Sequence, residues 1–226
     1  MESLRKKFAA SPEAARFIPF LIFLVLTTGQ DMLGAEYRYW LYLAKTLVGA
    51  WLIWEMRPFV AEMRWAFSWE AVAVGIGVCV IWIGLDPYVP KNHLFFKPGG
   101  GDWNPHTQFG ADSAMAWVFI VVRIVGSSII VPPLEETFYR SFLYRYFVRT
   151  DFLNLPLNHR HAVSWVGTAL VFGLVHYEWF AGILCGLAFQ WLVLRKNRLG
   201  DAMAAHAITN FLLGLWVVGK GAWGFW

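Results

Sequence analysis

A group of charged residues inside a long apolar segment constrains this chain more than any other feature. Glu135 and Glu136 lie between the apolar stretches 125–131 and 138–148, and Arg140 lies inside the second stretch. Ionisable side chains in a membrane cost roughly 3 kcal/mol each and are rarely kept without a partner or a function. On a helix, Glu136 and Arg140 are four residues apart and can form an ion pair, whereas Glu135 is rotated about 100° away. The spacing therefore predicts a paired Glu136 and a Glu135 that is free for chemistry.

The composition indicates an integral membrane protein that contacts the lipid bilayer. Hydrophobic residues make up 58% of the 226 residues and charged residues 15%, whereas soluble domains contain about 25% charged residues. The formal charge of +4 is better explained by basic loops on one membrane side than by nucleic acid as a partner. Cys79 and Cys185 both lie in apolar runs, which indicates packing residues and no disulfide framework.

The apolar segments predict an all-α, polytopic transmembrane helical bundle with about seven spans, eight being the alternative. We expect one integral membrane domain over 1–226, with a motif-bearing catalytic core at about 115–218. Segment 56–68 is expected to be an interfacial helix or a plain loop, and 86–111 is the one long loop. The predicted spans are about 17–28, 37–54, 69–85, 115–148, 161–176, 179–194 and 201–218.

The segment 115–148 is too long for a single perpendicular crossing. As a helix it would run about 51 Å, against an apolar bilayer core of about 30 Å. Pro132 and Pro133 are expected to kink it. The crossing part is then about 128–148, with 115–127 along the outer surface and Arg123 at the interface.

The distribution of basic residues predicts the orientation. With a cytoplasmic N-terminus and seven spans, twelve of the 19 Lys and Arg residues lie in inside segments, four lie outside and three lie within spans. This bias favours a cytoplasmic N-terminus and an outside C-terminus. The basic start followed by 17–28 also resembles a signal peptide with a weak cleavage site at 33–35. We prefer an uncleaved first span.

Two further pairs in the second half have helical spacing. Phe172 precedes His176 by four residues, and His206 precedes Asn210 by four, so each pair shares one face of a helix. Counting 1.5 Å per residue from the predicted cytoplasmic ends places Glu135, His176, His206 and Asn210 at compatible depths. The sequence therefore predicts one cavity inside the membrane, nearer its cytoplasmic side.

Each of these features also has a purely structural interpretation. A buried Glu–Arg pair can fix helix register, and a histidine or asparagine in a span can simply bond neighbouring helices. We favour a functional site, because a structural interpretation must account for four buried polar residues at once.

The three motifs, in this order, resemble those of the CAAX prenyl protease and bacteriocin-processing family, called CPBP or Abi, which comprises glutamate-type intramembrane proteases. The resemblance covers about 131–214 and is greatest to the bacterial branch associated with exosortase sorting systems. It implies a peptidase of the bacterial inner membrane that needs neither metal nor cofactor. The substrate would be a membrane-associated protein or peptide, cleaved near its C-terminus.

The resemblance also implies roles for seven residues. Glu135 and His176 would activate a water molecule, and His206 and Asn210 would bind the oxyanion. The remaining three residues would hold the catalytic side chains in position, namely Glu136, Arg140 and Phe172.

Three alternatives remain open from the sequence. Glu135, His176 and His206 have the donor types of a zinc site, although no HExxH motif is present. A non-catalytic membrane scaffold or immunity-type protein is the second alternative. A proton-coupled transporter is the third, although the chain has no paired half-repeats.

Overall fold

The protein is a bundle of helices in this computed structural model, which describes residues 2–30, 34, 37–93, 102–111 and 113–226. No strand occurs among these residues, and the predicted all-α membrane bundle is confirmed. The helices, numbered in chain order, are α1 Glu2–Ala10, α2 Pro12–Gln30, α3 Arg38–Met56, α4 Trp69–Leu85, α5 Pro105–Phe109, α6 Ala114–Tyr146, α7 Ala162–Leu174, α8 Trp179–Lys196 and α9 Gly200–Lys220.

Seven of these helices coincide with the predicted spans. By length and composition, three segments in the described part of the chain can cross a membrane, namely Pro12–Gly29, Ala114–Tyr146 and Gly200–Lys220. The helices α4 and α7 are apolar but shorter. Segment 56–68 forms a short 3-10 turn at Arg57–Phe59 and is otherwise irregular, so it is a loop more than an interfacial helix.

The long helix α6 is continuous, and its irregularities are two π-helical segments. The first spans Gly126–Ile130 and the second Thr137–Leu143. Pro132 and Pro133 have no N–H group to donate, and the backbone upstream adopts a wider turn in which Val131 N–H bonds Gly126 O. A π turn is a common cause of a helix distortion at functional sites. Glu135 and Glu136 lie between the two π segments.

Close backbone approaches at small residues join α7 to α8. A Cβ atom on Gly182 would lie 2.9 Å from the Cα atom of Gly173, and one on Gly186 would lie 2.9 Å from the Cα atom of Ala169. Gly182 and Gly186 have the small-xxx-small spacing that lets membrane helices pack backbone to backbone. This contact fixes the turn between α7 and α8, which carries His176.

The helices α4 and α9 are joined in a similar way. A Cβ atom on Gly75 would lie 2.7 Å from the carbonyl oxygen of Ala205. The hydroxyl group of Thr209 donates to the carbonyl oxygen of Gly75 at 2.9 Å. This pairing sets the rotation of α9, the helix that carries His206 and Asn210.

A buried ionic network ties the ends of α2 and α6 to the 60–68 loop. The guanidinium of Arg16 donates two hydrogen bonds to Glu62, at 2.8 Å and 2.9 Å, through Nη2. Ser141 also donates to Glu62, and Arg145 Nη2 lies 3.2 Å from the same carboxylate. Burial acts to raise the pKa of Glu62, but Arg16 and the Ser141 hydrogen bond outweigh it, so the pKa is lowered. Glu62 therefore stays ionised and holds α2 against α6.

Parts of two predictions lie outside the described residues. Leu33 and Ala35 of the weak cleavage site are among these positions, as is the glycine-rich part of the 86–111 loop at 94–101.

Candidate active site

A cavity of about 830 Å³ lies between the helices, and all four predicted catalytic residues line it. α6 contributes Glu135, the turn after α7 contributes His176, and α9 contributes His206 and Asn210. The volume is in the usual range for ligand pockets. The structure thus brings together residues that are up to 75 positions apart in the sequence.

The two adjacent glutamates differ as the sequence predicts. Glu136 is fully buried, and its Oε2 atom lies 3.1 Å from Nε of Arg140, which is also fully buried. The two groups are not aligned for a linear hydrogen bond, so the contact is an ion pair. Glu135 is only partly buried and lines the cavity, and its Oε2 atom has no hydrogen-bond partner in the described structure.

Phe172 lies at the centre of the site. The guanidinium of Arg140 is 4.4 Å from its ring centroid, a cation–π contact. The rings of His176 and His206 lie 4.6 Å and 6.2 Å from the same ring. Phe172 therefore packs against three of the polar side chains, consistent with the supporting position expected from its spacing to His176.

The ring of His176 is oriented by a backbone contact. Its Nδ1 atom lies 2.6 Å from the carbonyl oxygen of Phe172, so Nδ1 carries the proton and donates it. The amide of Asn92 donates to the carbonyl oxygen of Leu174 at 2.7 Å, and the backbone N–H of Asn92 donates to that of Tyr177 at 2.9 Å. These bonds fix the turn on both sides of His176. In neutral His176, Nε2 then holds a lone pair.

The structure adds a contact to His206 that the spacing did not predict. Its Nδ1 atom lies 2.9 Å from Oε1 of Glu136, so Glu136 holds both Arg140 and His206. The amide of Asn210 donates to the carbonyl oxygen of Ser127 on α6 at 2.8 Å. One of its two N–H groups is thus engaged, and the second is available to a ligand.

Glu178, two residues after His176 in the sequence, also lines the cavity. Its Oε1 atom is 3.5 Å from Nζ of Lys91, which also pairs with Asp86. Burial raises the pKa of Glu178, and the nearby Lys91 reduces that effect. This ionic group links the segment after α4 to the turn after α7.

The cavity also contains basic residues that the sequence interpretation did not assign to the site. Arg38 and Lys45 of α3 and Arg123 of α6 line it. Arg123 was expected at the membrane interface, and no motif identified Lys45. Because α2 and α3 supply part of the lining, the cavity extends beyond the predicted core 115–218.

The cavity extends farther toward the predicted outer side than the depth estimate implied. Its lining includes Trp82 near the end of α4, Glu178 after α7, and Phe225 after α9. With a cytoplasmic N-terminus and seven spans, these positions all lie toward the outer side. Depths counted along straight helices could not place a cavity that is bounded partly by loops.

In the described ranges, no three His, Cys, Asp or Glu side chains are arranged as a metal-binding group. Glu135, His176 and His206 share the cavity without forming such a set.

The bundle is thus an all-helical membrane protein with carboxylate, imidazole and amide groups in an internal cavity. Residues 116–212 match the model of the Rce1-like family, type II CAAX prenyl endopeptidase Rce1-like. The match contains all seven site residues and confirms the resemblance to the CAAX protease family. No curated protein and no solved structure matches the chain. In general terms, the family consists of CAAX-type intramembrane endopeptidases. The match therefore supports the interpretation of this chain as an integral membrane protein and as a peptidase.

Proposed function

We propose that the protein is a glutamate-type intramembrane endopeptidase that cleaves a membrane-associated protein or peptide near its C-terminus. The observation that carries the proposal is the convergence of Glu135, His176, His206 and Asn210 on one cavity. The residue roles below are part of the proposal, as are the single-domain organisation, the bacterial inner-membrane location and the link to an exosortase-type sorting system.

Glu135 is the proposed general base. Its carboxylate faces the cavity and has an oxygen without a hydrogen-bond partner, whereas Glu136 is already held by Arg140 and His206. A water molecule bound by Glu135 and by Nε2 of His176 gives its proton to Glu135 as its oxygen attacks the peptide carbonyl. The proton then passes to the departing amine nitrogen as the C–N bond breaks.

His206 and Asn210 are the proposed oxyanion donors. Since Nδ1 of His206 faces Glu136, Nε2 can donate to an oxyanion only when the ring is protonated, and the Glu136 carboxylate stabilises that imidazolium. Asn210 donates through the N–H group that Ser127 does not use. Removal of one such donor typically lowers the rate about 10²–10³-fold.

The Glu135→Gln variant tests this proposal. The change keeps the shape of the side chain but removes the base, so peptide cleavage by the purified protein is expected to fall to background while folding is retained. Glu70→Gln, at a carboxylate that pairs with Lys196 outside the cavity, is the matched control and is expected to keep its activity. Wild-type turnover in Glu135→Gln would rule Glu135 out as the base.

The same assay separates the glutamate mechanism from a zinc mechanism. A strong chelator is expected to leave the wild-type rate unchanged. Loss of activity with chelator and its recovery with added Zn²⁺ would instead establish Glu135, His176 and His206 as candidate zinc ligands.

A further inference from the structure

The segment 86–92 follows α4 and contacts the turn that carries His176, and we call this segment the strap. The backbone N–H groups of Tyr88 and Val89 donate to the carbonyl oxygen of Leu85 at the end of α4, at 3.0 Å and 3.2 Å. Proline occupies two positions of the strap and fixes the backbone angle φ at each of them. The strap is therefore a stiff continuation of α4.

The strap and the end of α4 contact the turn at several points. Asn92 donates to two carbonyl groups of the turn, one before and one after His176. The indole N–H of Trp179, the first residue of α8, donates to the carbonyl oxygen of Pro90 at 3.0 Å. The ring of Trp82, in the last turn of α4, lies 5.6 Å from the ring of His176, edge to face. These contacts determine where the imidazole of His176 lies.

The strap also has an ionic contact with the same turn. The Nζ atom of Lys91 lies 3.5 Å from Oε1 of Glu178, and Lys91 also pairs with Asp86 at the start of the strap. The side chain of Lys91 is 23% exposed and that of Glu178 is 12% exposed. Among the described residues, those that line the cavity include Glu178 but not Lys91. An effect of Lys91 on a substrate in the cavity would therefore be transmitted through the turn.

We propose that Lys91 is a positioning residue, which through its ion pair with Glu178 holds the turn so that His176 and Glu135 bind the same attacking water molecule. This proposal rests on the peptidase function proposed above. A displacement of about 1 Å can slow an enzymatic reaction about 100-fold, whereas an ion pair that is partly open to solvent contributes little to stability. Loss of this ion pair should therefore affect the rate more than the stability.

The Lys91→Met variant tests this role, because it removes the charge and keeps a long side chain. The kcat and KM values are measured in detergent for one peptide, the member of a random library that the wild-type protein cleaves fastest. We expect kcat to fall about tenfold, since the remaining bonds of the strap limit the displacement. KM and the thermal unfolding temperature should stay near the wild-type values. Lys91→Arg keeps the charge and should retain most of the wild-type kcat.

Lys196→Met is the matched control. The side chain of Lys196 is 22% exposed, and its Nζ atom lies 2.7 Å from Oε1 of Glu70, outside the cavity. This variant also loses one partly exposed ion pair, but the pair does not contact the turn, so its kcat should equal that of the wild type.

A double-mutant cycle assigns the effect to the ion pair. Glu178→Gln is expected to lower kcat about as much as Lys91→Met does. If the two side chains act through their contact, the double variant should be no slower than the slower single variant.

Amide hydrogen exchange gives a second measurement that needs no substrate. The N–H group of Asn92 donates to the turn, and the N–H group of His176 donates to the carbonyl oxygen of Gly173 at 2.9 Å. Both amides are expected to exchange faster in Lys91→Met than in the wild type, because release of the turn opens these bonds more often. In Lys196→Met their exchange should be unchanged.

Four outcomes would overturn the proposal. Wild-type kcat and exchange in Lys91→Met, with Glu135→Gln inactive, would remove the positioning role and leave the peptidase function standing. A higher KM with unchanged kcat would make Lys91 a binding determinant. A large fall in the unfolding temperature would mean that Lys91 stabilises the whole bundle. Wild-type turnover in Glu135→Gln would overturn this proposal together with the mechanism on which it rests.

Discussion

At the scale of single residues, one contact of Glu136 could be predicted from the sequence and another could not. The i,i+4 spacing predicted its pair with Arg140, which the structure confirms. The bond to His206 was not predicted, because it joins residues 70 positions apart and depends on how α9 is rotated against α6. One buried carboxylate therefore holds a cation on its own helix and an imidazole on another.

This arrangement predicts a stability defect in Glu136→Gln. The substitution preserves shape but leaves the fully buried Arg140 without its counterion. Breaking a buried pair in this way typically costs about 3–5 kcal/mol. We expect a marked fall in the thermal unfolding temperature of the purified protein in detergent, together with reduced activity because His206 loses its partner.

Glu70→Gln is again the matched control, since Glu70 pairs with Lys196 and Arg195 in solvent-accessible positions. Exposed ion pairs contribute little to stability, so its unfolding temperature should stay near that of the wild type. An unchanged unfolding temperature in Glu136→Gln would contradict the structural importance of the Glu136–Arg140 pair.

At the scale of helices, the predicted bounds agree closely with the structure because apolar runs end at charged and turn-forming residues. The span predicted at 69–85 is observed at Trp69–Leu85. The π segments of α6 were not predicted, since they depend on neighbouring helices. A Cβ atom at Gly126, for example, would lie 3.0 Å from the hydroxyl oxygen of Tyr42 on α3. The hydropathy of the sequence likewise does not determine helix rotation, which directs Lys45 into the cavity.

The tight contact between Gly182 of α8 and Gly173 of α7 predicts that a larger side chain at position 182 will displace His176. In Gly182→Ala the new methyl group would lie 2.9 Å from the Cα atom of Gly173, which cannot move without moving the helix. Overpacking of this kind costs about 1–3 kcal/mol. We expect a lower unfolding temperature and at least about tenfold slower cleavage, because separation of the helices displaces Phe172 and His176.

Gly77→Ala is the matched control on α4. A Cβ atom at this position meets nothing within 4 Å, and Ala is favoured over Gly in a helix by about 1 kcal/mol. Its stability should be unchanged or slightly higher, with normal cleavage. If Gly182→Ala behaved in the same way, the tight glycine contact would not be what positions the α7–α8 turn.

At the scale of the whole molecule, both halves of the chain line the cavity. The family match covers residues 116–212, yet α2 and α3 also line the cavity through Phe20, Phe23 and Lys45. The first half of the chain is therefore part of the proposed site as well as of the membrane anchor. The lining extends toward the helix ends that are predicted to lie outside, so with a cytoplasmic N-terminus the cavity would extend toward the outer side of the membrane.

Reporter fusions test this orientation. Seven crossings from a cytoplasmic N-terminus place the loop near Asn154 inside and Trp226 outside, because basic residues concentrate in the segments assigned to the inside. A reporter enzyme active only outside the cell should be active after Trp226 and inactive when inserted near Asn154. The reverse pattern at both positions would mean either an inverted bundle or an additional crossing before Asn154, and the 33-residue α6 is where that crossing would be sought first. Cytoplasmic signals at both positions would mean that an even number of crossings, and not the three formed by α7, α8 and α9, lies between Asn154 and Trp226.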